Sequence, residues 1–164
     1  MNSKKLFIWG FLFVSVIGTL LHFVYEWSGN NSIVRLFAPW NESTWEHMKL
    51  LFFPMLALVL FLFFKLPEQS PIPVALSIGT LVGLALIPIL FYTYTGVLGF
   101  SVMAIDIAIF YISVLGAFLI GWFLKDNREL ANRRGLLLTC LVILAILFFI
   151  FSYYPPEIGL FQEP

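Results

Sequence analysis

Cysteine is nearly missing from this chain. Cys140 is the one copy, set inside an apolar run. An intrachain disulfide is therefore excluded, and so is a thiolate metal site, which takes several cysteines. The lone sulfur is expected to be a packed thiol. Charge is scarce as well. Asp, Glu, Lys and Arg make up 11% of the residues, against roughly 25% in a soluble domain. The 9 basic and 9 acidic residues cancel, which leaves no positive excess for a phosphate backbone and argues against nucleic acid as a partner. Several catalytic signatures are missing too. The chain has no phosphate loop, dinucleotide fingerprint, serine-nucleophile elbow or H-E-x-x-H zinc motif. No internal repeat stands out, so an inverted-repeat transporter architecture gains no support.

What is present is apolar. Hydrophobic residues make up 61% of the chain, with 19 phenylalanines. Such a chain cannot cover itself with polar side chains, and lipid is its natural solvent. A membrane span needs about 20 apolar residues. Stretches near 6–27, 44–66, 73–94, 97–124 and 135–154 meet that length. The expected fold is an all-α integral membrane bundle of five transmembrane helices, forming a single domain over 1–164. Lys4 and Lys5 before the first run resemble the start of a signal peptide. The run is too long, and no small-residue cleavage site with a polar mature chain follows, so it reads as an uncleaved first helix. Thr95-Gly96 predicts a tight turn between the third and fourth helices. Gly79 and Gly83 form a G-x-x-x-G that admits a neighbouring backbone. Pro54 and Pro88 predict kinks.

Lysine and arginine placement sets the expected orientation. Lys4, Lys5, Lys65, Lys125, Arg128, Arg133 and Arg134 fall on one side of a five-helix bundle, and only Arg35 and Lys49 on the other. The N-terminus is thus expected in the cytoplasm and the C-terminus outside. The first loop, the Thr95-Gly96 turn and the tail from Pro155 would face outward. The apolar middle of the first loop, around Arg35, fits a short interfacial or re-entrant piece. The basic loop from Lys125 to Arg134 reads as a topology determinant in contact with lipid phosphates.

The polar residues gather at the expected outer ends. His22 and Glu26 share one face of the first helix, and Glu42 and Glu46 stand at the same spacing around the start of the second. His47 lies about 100° round from Glu46. Asp106, counted from the Thr95-Gly96 turn, is expected roughly 14 Å deep, near mid-bilayer. Histidines and carboxylates on facing helices are common metal-ligand sets. His22, Glu26, Glu46 and His47 are therefore candidate ligands for a divalent ion: zinc, manganese or iron. Such an ion activates water at neutral pH. Glu42 or Asp106 would then act as catalytic base or acid. Tyr25, Asn41, Tyr92 and Tyr94 would complete the polar lining.

Each residue also has a plainer reading. Ser43-x-x-Glu46 fits a capping box, with Asn41 as a second cap. Glu42 fits a first-turn acid favoured by the helix dipole. His22 and Glu26 could bond each other or a tyrosine. His47 and Lys49 fit interfacial, solvated positions. Trp27, Trp40, Trp45, Tyr92 and Tyr94 fit an aromatic belt. Asp106 fits a neutral acid in an interhelical hydrogen bond.

The run His22-x-x-Tyr25-x-Trp27-Ser28-Gly29, then Pro39-Trp40-Asn41-Glu42-Ser43-x-Trp45-Glu46-His47-x-Lys49, resembles a family of small bacterial multi-spanning membrane proteins, mainly Gram-positive, classed as a domain of unknown function. Phe91-Tyr92-Thr93-Tyr94-Thr95-Gly96 and Asp106-Ile107 resemble it too. The resemblance implies a bacterial cytoplasmic membrane location and carries no activity. Three functions fit the residues. One is a metal-dependent membrane enzyme acting on a lipid or other amphiphile. The second is a proton- or ion-coupled transporter or channel component. The third is a non-enzymatic membrane partner, binding a protein or a second copy of itself.

Overall fold

The computed structural model describes residues 2–164. Asn2 opens the first helix, α1 (Ser3–Trp27), by accepting the Lys4 amide on its side chain. This is the usual way a helix start satisfies a free N–H. Gly29 and Asn30 then take left-handed conformations, φ +68° and +60°, and turn the chain out of the helix. A short 3-10 turn, Val34–Leu36, occupies the middle of the first loop. α2 (Thr44–Lys65) starts at Ser43, whose hydroxyl accepts the Glu46 amide at 3.4 Å. α3 spans Ile72–Leu98, α4 Met103–Leu124 and α5 Arg134–Tyr153. A 3-10 stretch, Arg128–Arg133, leads into α5. Among the described residues, five helices are long and apolar enough to cross a membrane, and the chain is a multi-pass membrane protein.

The third and fourth helices depart from expectation at their junction. α3 runs through Thr95-Gly96 and ends at Leu98, with Gly99 in the left-handed cap at φ +80°. The reason is local. Thr93 and Thr95 turn their hydroxyls back onto the carbonyls of Ile89 and Phe91, so they are satisfied inside a helix and do not break it. The turn therefore lies later, and α4 begins later. Asp106 falls in the first turn of α4, roughly 5 Å from its start, and not near mid-bilayer. Pro54 and Pro88 lie inside helices that continue past them.

α2 and α3 form the centre of the bundle. α1 and α4 pack along one side and α5 along the other. The α3–α4 contact is the tightest, and Gly79 and Gly83 allow it. A Cβ on Gly79 would strike the Ala117 backbone, and one on Gly83 would come within 2.9 Å of the Ser113 carbonyl. Aromatic rings fill the α2–α5 seam. Trp45 packs, with its ring tilted, against Phe148 and Phe161 at centroid distances of 4.5 and 4.9 Å. Trp45 is thus buried and not part of an interfacial belt, because the 3-10 turn Gly159–Phe161 of the tail folds back over it. Trp27 is exposed. With five spans, the first loop, the α3–α4 turn and the tail lie at one end of the bundle, and the Lys125–Arg134 segment at the other.

Candidate functional site

The end of α1 and the start of α2 meet beneath the first loop. His22 faces His47 across this junction, with ring centroids 5.4 Å apart. Glu42, just ahead of the Ser43 cap, reaches back so that its Oε2 lies 3.3 Å from His47 Nε2. One donor atom each from His22, Glu42 and His47 fall within 4.8 Å of one another. Two donors bound to one tetrahedral zinc stand about 3.4 Å apart. The His47–Glu42 pair already matches that spacing, and the whole group would close by at most about 1.4 Å.

The His47 ring is oriented from behind. Its Nδ1 lies 3.0 Å from the Ser43 carbonyl. A carbonyl only accepts, so Nδ1 carries the proton. In a neutral ring, Nε2 then presents a lone pair to a carboxylate oxygen, and two acceptors in contact need a cation between them. A second ring proton or a metal ion both satisfy that demand. With the ring protonated, its bond to Glu42 holds that carboxyl below the usual carboxylate range, with the nearby His22 charge adding to the effect against partial burial. His22 Nδ1 is buried and has no hydrogen-bond partner among the described residues.

A cleft of about 120 Å³ opens beside this group, lined by His22, Phe23, Tyr25, Glu26, Pro39, Trp40, Asn41 and Glu42. Liquid water occupies about 30 Å³ per molecule, so the cleft has room for a few water-sized groups. Glu26 and Tyr25 line it without joining the histidine–glutamate group. Phe23 stacks on Trp27 at the cleft's flank, and both are exposed. Asn41 lines the cleft and accepts the Ser43 amide at 3.1 Å.

Other expected site residues lie elsewhere. Glu46, read from sequence as a ligand, is turned away from the histidines. Its Oε2 meets Lys49 Nζ at 2.5 Å and accepts the Trp40 amide at 3.3 Å. Nor does it complete a capping box, since the Ser43 amide goes to Asn41. Glu42, read as a base, takes the position by the histidines instead. Lys49, for which a solvated position was open, is fully buried. Asp106 accepts the Tyr94 hydroxyl, which in turn accepts the Val102 amide at 3.0 Å. These bonds tie the end of α3 to the start of α4. Tyr92 lines a separate open cleft between the α3–α4 turn and the tail.

The chain belongs to the family of unknown function DUF6512, whose model matches residues 1–164. The resemblance noted in the His22–Lys49 run is therefore to the right kind of family. No curated protein and no solved structure matches the chain.

Proposed function

We propose that the protein is a metal-dependent enzyme of a bacterial cytoplasmic membrane, holding a divalent ion, zinc in the first instance, through His22, Glu42 and His47. The observation that carries this reading is the convergence of three donor atoms within 4.8 Å beside a cleft. Catalytic zinc sites commonly use three protein ligands, two histidines and a glutamate among the known sets, and keep the fourth position open. The Ser43 carbonyl behind His47 supplies the second-shell bond that such a ligand usually makes.

His22, Glu42 and His47 would hold the ion, which would supply Lewis-acid activation of a water or carbonyl oxygen. The residues around it supply the rest. Glu26 lines the same cleft and is our assignment for proton transfer. The exposed Phe23–Trp27 pair at the cleft's flank favours an amphiphile, its head group in the cleft and its chain in lipid. The reaction class that fits is hydrolysis of a head-group ester or amide. Water oxygen bonds to the acyl carbon, the bond to the leaving group breaks, and a water proton passes to that group.

The test is zinc titration of metal-free protein in nanodiscs, followed by an assay of acyl release from an ester amphiphile. We expect one zinc per chain. His22→Ala, Glu42→Gln and His47→Ala should each weaken it by more than the roughly 10–100-fold typical of outer-shell changes alone. Acyl release should need the metal. Wild-type protein that takes up no stoichiometric zinc, manganese or iron would overturn the reading.

The same His47–Glu42 contact favours one other reading, a proton site in an ion-coupled transporter, with the second ring proton filling the gap. That reading expects metal-independent proton flux in liposomes, abolished by His47→Ala.

A further inference from the structure

Glu46 and Lys49 are the most deeply buried charges among the described residues, with side chains 2% and 0% exposed. An ammonium group has three protons to place. Lys49 gives them to Glu46 Oε2 at 2.5 Å, the Arg35 carbonyl at 2.9 Å and the Ser152 hydroxyl at 2.7 Å. Those acceptors belong to α2, the first loop and α5. The first loop is held at further points. The Arg35 guanidinium lies 3.7 Å over the Trp40 ring and 4.9 Å from that of Tyr153. Tyr153 donates to the Ser32 carbonyl at 2.7 Å.

A buried ion pair is a weak source of stability. Apolar residues of similar volume often do as well or better. What the pair supplies here is a position. The Glu46 oxygen that takes Lys49 also takes the Trp40 amide. Trp40 and Asn41 lead directly to Glu42, the one donor of the candidate metal group that comes from the loop and not from a helix. Resting on the metal reading above, we propose that Glu46 is a positioning residue. Anchored by Lys49, it holds the Trp40–Glu42 segment so that the Glu42 carboxylate reaches His47. This role is unassigned by the spacing argument, which made Glu46 a ligand.

Two double variants separate positioning from mere packing. Lys49→Met with Glu46→Gln removes both charges but leaves an amide oxygen for the Trp40 N–H. Lys49→Met with Glu46→Met removes that acceptor too. Zinc affinity should stay within about threefold of wild type in the first and fall about 10–100-fold in the second, as outer-shell losses do. In metal-free protein, hydrogen exchange at Trp40 should stay slow in the first and speed up in the second. Equal zinc affinity and equal Trp40 exchange in the two variants would overturn the proposal.

Exchange in wild-type, metal-free protein covers the case in which a variant fails to fold. Trp40 should be protected like the His47 amide, which is bonded to the Ser43 carbonyl, and exchange as fast as that of Ser32 would also overturn the proposal. If wild-type protein binds no metal, the metal reading fails by itself, and Trp40 exchange still decides whether Glu46 holds the loop.

Discussion

His47 has two ring nitrogens with opposite duties. Nδ1 is committed to the Ser43 carbonyl and Nε2 to the Glu42 side. The hydrogen bond on one nitrogen sets the tautomer and leaves the other as the ligand. Nitrogen-15 NMR of histidine-labelled protein should therefore show His47 Nδ1 protonated, both before and after zinc is added. Only its Nε2 resonance should move on zinc binding. A ring that binds through Nδ1, or that keeps its Nε2 resonance unchanged, would contradict the assignment. The residue types of this site were legible in the sequence, and so was their gathering at one end. The partners were not. Glu42 and Glu46 have the same spacing and similar settings in sequence. What separates them is the Trp40 amide, which the first loop brings to Glu46, and the Lys49 ammonium, which the loop carbonyl of Arg35 and Ser152 of α5 hold beside it. Asp106 shows the same limit from another side. Its depth was counted from a turn that two threonines, satisfied on their own helix, moved to Gly99.

At the scale of elements, the α3–α4 pair gives a controlled comparison within one helix. Gly79 sits where a Cβ would collide with the Ala117 backbone, while Gly96 has nothing within 4 Å. Gly79→Ala must push α4 away, at a cost of about 1–3 kcal/mol for overpacking. Gly96→Ala meets no neighbour and gains helix propensity, worth up to about 1 kcal/mol. Unfolding of the two variants in detergent micelles should move in opposite directions from wild type. A Gly79→Ala protein as stable as wild type would mean that α3 and α4 are not in backbone contact. This part of the fold was readable in advance, because G-x-x-x-G reports close approach through side-chain size alone. Which helix would approach was not readable. The same is true of the tail, whose Phe161 covers Trp45 by a contact that no local pattern announces.

For the whole molecule, the open matter is which end faces the cytoplasm, because the candidate site lies at one end only. Lys4, Lys5, Lys65, Lys125, Arg128, Arg133 and Arg134 flank the end opposite the site. The two basic residues on the site's own end are both engaged. Lys49 is fully buried in its ion pair, and Arg35 lies against Trp40 and Tyr153. The positive-inside rule acts through loop lysines and arginines near the helix ends, and seven of the nine lie at the end opposite the site. The expected orientation has the N-terminus inside and the His22–Glu42–His47 cleft facing out, where it would draw metal and amphiphile from the outer side of the membrane. Cysteine labelling tests this in a Cys140→Ser background. A membrane-impermeant maleimide applied to intact cells should label Asn30→Cys, in the first loop, and spare Asn127→Cys, in the basic loop, until the cells are permeabilised. The reverse pattern would turn the cleft toward the cytoplasm, and with it the supply of metal and substrate. The geometry of the site would be unchanged, since it depends on α1, α2 and α5 and not on the side of the membrane they face.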